Sequence, residues 1–348
     1  MKIVSIVGAR PQFIKLAPLS KEIRKFHNEV IIHTGQHFDQ EMSTLFFQDL
    51  KIPVPDYNLN ISGGKHGEQT GRMLVGIEEI LLNENPELVI IFGDTNSTLA
   101  GSLASSKLGI KTIHIEAGLR SFNRIMPEEI NRVISDHSSD LLFAPTMTAM
   151  LNLKTEGLHN KAILTGDIMV DALELAQSIL KKKQFKREPY NYYLLTLHRP
   201  YNVDDYDRLK KILYQLEKLD KEIIFPVHPR TREVIKKGKI KISKNIDMRK
   251  PCGYLEFINL QIGAEKIITD SGGIQKEAYL LKKPCITIRT ETEWIETVNV
   301  GWNLLINFDN QKNYIKKITS FVPNKYHPDL FGKNVAKNMI KIINKYDF

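Results

Sequence analysis

The sequence predicts an α/β protein of two doubly wound domains with a ligand site in the cleft between them, and three observations predict it. At 348 residues the chain exceeds one ordinary hydrophobic core and suits two. Short apolar, β-branched runs alternate with helix-length segments along most of its length, the signature of parallel strands joined by helical crossovers. Residues 88–118 (LVIIFGDTNSTLAGSLASSKLGIKTIHIEAG) and 265–291 (EKIITDSGGIQKEAYLLKKPCITIRTE) also echo each other as strand, Asp with Ser or Thr, helix, short turn and strand. Two similar halves of this kind hold a ligand beyond the carboxyl ends of their strands.

In chain order, KIVSIVG (2–8), VIIHTG (30–35), LVIIFG (88–93), TIHIE (112–116), LLFAPT (141–146) and AILTG (162–166) read as the strands of a first domain spanning residues 1–172. A helical stretch through VDALELAQSILKKK then meets the polar, basic segment 184–191, which marks a domain boundary. The second domain, 188–333, restarts the alternation with YYLLTLH (192–198), EIIFPVH (222–228), KIITDS (266–271) and CITIR (285–289). The terminal NVAKNMIKIINKYDF (334–348) reads as an amphipathic helix that crosses back to join the first domain.

Composition narrows the function. No apolar run is long enough for a membrane span and the start MKIVSIVGARP lacks a leader pattern, so the expected location is the cytoplasm, with no membrane partner. The net charge of +9 suits nucleic acid, acidic lipid or a small phosphorylated substrate. Runs such as KKKQFKR and KKGKIKISK read as solvated surface, and no nucleic-acid module is recognisable, which favours the small anionic substrate. Cys252 and Cys285 match no zinc or redox spacing and read as packed thiols.

The carboxyl ends of the strands carry the candidate chemistry. Gly8 permits a tight turn, after which Arg10 and Lys15 can face an anion near a helix N-terminus; the pattern is not the GxGxxG of a dinucleotide site. Asp94 ends a buried strand, where it is either a ligand-facing acid or merely the N-cap of the next helix. Glu116 ends the next strand before Ala-Gly, with no capping duty, and is the stronger catalytic candidate. In MPEEINR, Pro127 suits the first helical position, Glu128 and Glu129 the first turn, and Glu128 shares a face with Arg132. Clustered acids beside arginines supply general acids and bases while the cations hold anionic groups. In the second half His198 with Arg199, and His228 with Arg230 and Arg232, are strand-terminal sets suited to phosphate. In TDSGGIQKEA the turn Ser271, Gly272, Gly273 opens a helix and can cradle a diphosphate, and Glu277, one turn on, can accept from ribose hydroxyls.

The ordered motifs GARPQFIKLAPL, TGQH, GDTNSTLA, EAGLRS, PEEINR, FAPT, HRPYN, HPR, DSGGIQKEA and RTETEW, spanning nearly the whole chain, resemble those of the non-hydrolysing UDP-N-acetylglucosamine 2-epimerases. The resemblance implies a GT-B-like fold of two Rossmann-type domains, no metal or nicotinamide cofactor, and interconversion of UDP-GlcNAc and UDP-ManNAc through elimination of UDP to a 2-acetamidoglucal and its re-addition. It implies Asp94, Glu116 and Glu128 as catalytic carboxylates with His198 beside them. Arg10, Lys15, Arg132, Ser271, Gly272, Gly273 and Arg289 are then expected around the phosphates and sugar, Glu277 at the ribose, CGYLEF (252–257) near the uracil, and a homodimer as the assembly. The chain departs from the family pattern at Tyr201, where Glu is usual, and at Lys276, Trp294 and Ile295, where SGGxQEE and TERPE are usual. The family's regulatory glutamines fall in the segment after TGQH, which aligns poorly here, although Arg72 matches the family's arginine. A GT-B glycosyltransferase, a non-catalytic sugar-nucleotide sensor, a hydrolysing relative that frees ManNAc, and an epimerase of a UDP-2,3-diacetamido uronic acid are the competing readings. Three acids on the first-domain side favour the epimerase, because a transferase needs one base.

Overall fold

The structure, a computed structural model, describes residues 1–36, 47–183, 191–309 and 313–346. Two compact units divide the chain: Met1–Leu175 with Asp329–Phe348, and Ala176–Pro328. In the first, the described strands are β1 Lys2–Val7, β2 Asn28–His33, β3 Tyr57–Asn58, β4 Leu88–Phe92, β5 Lys111–Ile115, β6 Leu141–Ala144 and β7 Ala162–Leu164. They form a parallel sheet in the order β3-β2-β1-β4-β5-β6-β7. Central strands covered on both faces need apolar residues at every position, and all five residues of β4 are buried.

The helix Asn96–Lys107 shows how sequence sets packing. Its NSTLAGSLASSK composition is small because it lies close against the sheet: a Cβ on Gly101 would come 3.0 Å from Ile6 Cδ1 and 3.1 Å from Ile91 Cγ2. Its neighbours His66–Glu84 and Pro127–Ser138 flank it on the same side.

The second unit repeats the plan with β8 Tyr192–Thr196, β9 Glu222–Pro226, β10 Ile246–Arg249, β11 Lys266–Thr269, β12 Cys285–Thr287 and β13 Asn303–Leu305, in the order β10-β9-β8-β11-β12-β13. Each sheet therefore reverses direction beside its first strand, at β1/β4 and β8/β11, the switch points where doubly wound folds hold ligands. The sequence echo has a topological meaning: β4 to β5 and β11 to β12 occupy equivalent places across those switch points. The sequence reading lacks β3, β10 and β13, which lie at sheet edges. Ile246 alone in β10 and Asn303 alone in β13 are buried, so neither carries the doubly buried apolar run that marks a central strand.

The C-terminal helix Val335–Ile343 belongs to the first unit and packs on helix Arg10–Ile23 with Val335, Ala336, Met339, Ile340 and Ile343 buried. Asp171 Oδ2 accepts a hydrogen bond from the Ala336 amide at 2.5 Å, satisfying one of the helix's open N–H groups. Among the described residues no helix is long and apolar enough to cross a membrane.

Gly166 sits where this returning segment meets β7, at φ +86°, and a Cβ there would lie 2.5 Å from the Phe331 carbonyl oxygen. Gly166→Ala should therefore destabilise the protein by at least about 1–2 kcal/mol, the cost of the left-handed backbone alone, and lower the Tm read by circular dichroism.

Candidate active site

In the first unit the loops after β1, β4 and β5 meet. Gln12 ties the first two: its Oε1 accepts the amides of Gly8 and Ala9 at 2.8 and 2.9 Å, while its Nε2 donates to the Phe92 carbonyl at 2.9 Å. Gly8 is required by proximity, since a Cβ would fall 2.0 Å from Thr34 Oγ1 and 2.2 Å from Ser97 Oγ. The helix that follows begins at Arg10, which is half-buried, and places Lys15 further in, buried and ion-paired with the Glu116 carboxylate.

Asp94 does not cap the next helix. Thr95 does, accepting from the Thr98 amide, and this leaves the Asp94 side chain to Arg132, which donates to Asp94 Oδ2 from Nη2 at 2.7 Å and from Nε at 3.1 Å. Gly93, at φ +64°, brings this turn close to the first pair: a Cβ on it would lie 3.2 Å from Lys15 Nζ and 3.3 Å from Glu116 Oε2. Glu116 itself adopts φ +73°, a conformation an L-residue enters at a cost of order 1–2 kcal/mol and keeps only where the surroundings impose it. The amides of Glu116 and Ala117 both donate to the Phe143 carbonyl.

The residue that sequence reasoning passed over here is Glu129. Glu128 is half-buried in the first turn of helix Pro127–Ser138, whereas Glu129 is buried and organises the preceding loop. It accepts the Ser121 and Phe122 amides at 2.9 Å each and pairs with Arg132 Nη1 at 2.6 Å. Burial alone would raise its pKa, but the Ser121 amide, Arg132 and the Phe122 amide outweigh it and hold the carboxyl below its ordinary range. Arg132 is thus a bridge between Asp94 and Glu129. Its signal in sequence was the i, i+3 spacing, overshadowed by the i, i+4 pair with Glu128.

In the second unit Asp270, buried directly after β11, is the centre. It accepts the amides of His198 and Arg199 and the Asn202 side chain at 3.1–3.2 Å, and its Oδ1 lies 3.2 Å from His198 Nδ1. His198 remains 40 % exposed, so Asp270 orients a ring that still reaches solvent. Burial would raise the Asp270 pKa, but His198 and the other donors hold it low.

Ser271 precedes helix Gly272–Leu280 at its N-cap position. The two glycines differ in cause. A Cβ on Gly272 would meet Glu293 Oε1 at 2.1 Å, a protein contact, whereas around Gly273 the nearest atom is Ser271 Oγ at 4.0 Å, open space at a helix's positive end. Glu293 in turn pairs with Arg289 Nη1 at 2.8 Å. Glu277 is buried, accepts from Gln261 Nε2 at 2.6 Å, and is pushed up to about 7 by burial against the opposing effects of Gln261, Tyr254 and Lys276.

The departures from the family pattern have partners of their own. Tyr201 bonds Asp309 Oδ2 at 2.5 Å beneath the Arg208 guanidinium, 3.8 Å from its ring centre, and Lys276 Nζ lies 4.3 Å over the Trp294 ring. Elsewhere His228 caps its helix and Arg232 donates to the Arg249 carbonyl, which are structural duties. Arg72 is exposed and within 3.4 Å of the Ser62 carbonyl, while the glutamine-bearing segment 37–46 lies outside the described residues.

The profile of the UDP-N-acetylglucosamine 2-epimerase family matches residues 21–344. A UDP-N-acetylglucosamine 2-epimerase homolog of Methanococcus maripaludis is 55% identical over 333 residues, 93% of each chain. The UDP-2,3-diacetamido-2,3-dideoxy-D-glucuronate 2-epimerase of Pseudomonas aeruginosa is 49% identical over 88% of each. The crystal structure of Methanocaldococcus jannaschii UDP-GlcNAc 2-epimerase in complex with UDP-GlcNAc and UDP superposes with a TM-score of 0.91, at 45% identity and 99% coverage of both chains. The fold is accordingly GT-B-like, with two Rossmann-like α/β units.

The raised carboxyl of Glu277 predicts a pH dependence. Folded protein keeps a proton that the unfolded chain releases above its ordinary value of 4.5, so stability falls as pH rises from 4.5 towards about 7. Relative to Glu277→Gln, which lacks this titration, the wild type should lose on the order of 2–3 kcal/mol across that window, measured by urea unfolding at each pH.

Proposed function

The chain belongs to the UDP-N-acetylglucosamine 2-epimerase family, and we propose that it interconverts UDP-N-acetylglucosamine and UDP-N-acetylmannosamine by eliminating and re-adding UDP. One observation carries the mechanism: Asp94 and Glu116 stand at the carboxyl ends of adjacent strands β4 and β5, each ion-paired to a cation, Arg132 or Lys15.

The C2 hydrogen of the sugar lies beside a ring-ether carbon and is too weakly acidic for simple exchange. Its removal is coupled to loss of the C1 substituent. A carboxylate of the Asp94, Glu116, Glu128 set takes the C2 proton, the C–H electron pair forms the C1–C2 double bond, and the C1–O bond breaks with its pair leaving on the β-phosphate of UDP. In the return step a proton reaches the opposite face of C2 and the UDP oxygen re-forms the bond to C1. A set of several acids suits this route because both faces of C2 need a proton carrier.

UDP must be held while it is detached. Helix Gly272–Leu280 offers its N-terminal amides and dipole beside the open space at Gly273, with Ser271, His198 and Arg289 as further polar partners for phosphate and Glu277 for ribose hydroxyls. Arg132 keeps Asp94 in place and Lys15 does so for Glu116. The proposal needs no metal or nicotinamide. The homodimer and the cytoplasmic location belong to the same proposal and rest on family membership, as does supply of ManNAc-type sugars for surface polysaccharides.

The P. aeruginosa relative supports a second substrate for the same chemistry, since its identity matches the 49% of the M. jannaschii relative named UDP-N-acetylglucosamine 2-epimerase. Proton NMR of the protein with UDP-GlcNAc in deuterated water tests both. The expected result is deuterium at C2 and UDP-ManNAc at equilibrium. Free ManNAc would assign a hydrolysing enzyme, and turnover of the diacetamido uronic acid nucleotide alone would move the substrate. Asp94→Asn, Glu116→Gln and Glu128→Gln should each lower kcat by about 10²-fold or more, while calorimetry still detects UDP-GlcNAc binding. Wild-type turnover in any one of them removes that residue from the mechanism.

A further inference from the structure

Beneath the two acid-bearing turns lies a fully buried cluster that the chemistry above does not use. His114, in β5, faces the Gly93 carbonyl with Nε2 at 2.7 Å and the Asp136 Oδ1 with Nδ1 at 2.7 Å. Nε2 thus meets a backbone acceptor and Nδ1 a carboxylate oxygen, so the ring is tied at both ends. Asp136 then uses its second oxygen, Oδ2, to accept the Gly118 amide at 3.0 Å and Arg120 Nη1 at 2.7 Å. Neither side chain has measurable exposure. Burial alone would raise the Asp136 carboxyl, but the bonds from His114 and Arg120 hold it below its ordinary range.

Two of these bonds land on backbone close to an acid. Gly93 precedes Asp94, and Gly118 follows Glu116 by two residues. Both glycines are in left-handed conformation, and so is Glu116 between them in this chain of contacts. We propose that His114 and Asp136 are positioning residues for the epimerisation, a single imidazole–carboxylate clip that fixes the Asp94 turn and the left-handed Glu116 turn at one separation. The inference deepens the epimerase reading and rests on it.

Geometry gives the reason. A proton abstracted from C2 and returned to its opposite face needs carriers held to a fraction of an ångström, and neither turn is fixed by its own sequence. Helix Pro127–Ser138 supplies the clip because Asp136 lies on its buried face, one turn beyond Arg132. The helix therefore holds Asp94 directly through Arg132 and indirectly through His114.

The test compares Asp136→Asn with Glu156→Gln. An amide at 136 cannot accept from both His114 and the Gly118 amide, whereas Glu156 binds Arg120 of the same cluster from outside and touches neither turn. With UDP-GlcNAc, at a temperature where circular dichroism shows each variant folded, Asp136→Asn should lower kcat by about tenfold or more with KM and UDP affinity within about twofold. Glu156→Gln should keep kcat within about twofold whatever its loss of Tm. His114→Gln, measured in the same way, carries the same expectation as Asp136→Asn and serves if that variant does not fold. Unchanged kcat in either clip variant, a KM that rises in step, or an equal loss of kcat in Glu156→Gln overturns the inference. Absence of epimerisation by the wild type would instead defeat the epimerase reading itself.

Discussion

The structure of the first unit's site depends on a backbone constraint: Glu116 is held at φ +73° directly after β5. An ordinary strand end would let this side chain follow the strand's pleat. The left-handed turn instead folds the chain back so that the Glu116 and Ala117 amides share the Phe143 carbonyl and the carboxylate meets Lys15 on the helix after β1. Three elements distant in sequence are thereby registered on one another. The conformational cost is small beside the total stability of a protein of this size but large for one residue, and only a rigid surround keeps it.

The rigid surround is polar, which sets its purpose. Taking charges from water costs several kcal/mol each, and a buried pair recovers this only with good geometry and further hydrogen bonds. Lys15 with Glu116, Arg132 with Glu129, and Arg120 with Asp136 are all such pairs. Apolar side chains would pack the same volume at less cost. Their use here buys orientation, and the accounting for Glu129 shows it: both oxygens are spent on the amides of a loop and on an arginine that in turn steadies Asp94.

Much of this was legible in the sequence. Central strands announced themselves by unbroken apolar runs; of the acids, Glu116 alone stood at a strand end with no capping duty, while Asp94 also read as an N-cap and Glu128 as part of a helix start. Edge strands β3, β10 and β13 did not, since one face or both are open and no run is needed. Asp270 and Asp136 were illegible as organisers because their partners are backbone amides or residues that only the fold brings near, and Glu129 showed only its i, i+3 spacing to Arg132. Gln12 is the same case, its amide bridging loops 80 residues apart. Glycines were half legible: the pair Gly272 and Gly273 read as a ligand cradle, yet Gly272 is also demanded by Glu293.

The two halves show how one topology acquires two chemistries. Asp94 and Asp270 are counterparts in the sequence echo, each just beyond the fourth-position strand of its sheet. Asp270 follows β11 directly, so its carboxylate stays at the sheet edge and is consumed by the amides of His198 and Arg199 on the neighbouring loop. In the first unit Gly93 intervenes in a left-handed turn between β4 and Asp94, whose carboxylate bonds Arg132 on helix Pro127–Ser138. The corresponding work at β1 falls to Gln12, a neutral amide on the helix. Asp94 is left 34 % exposed against 0 % for Asp270 and is steadied from the side by Arg132. One glycine separates an acid consumed in a turn from one left partly exposed beside an arginine.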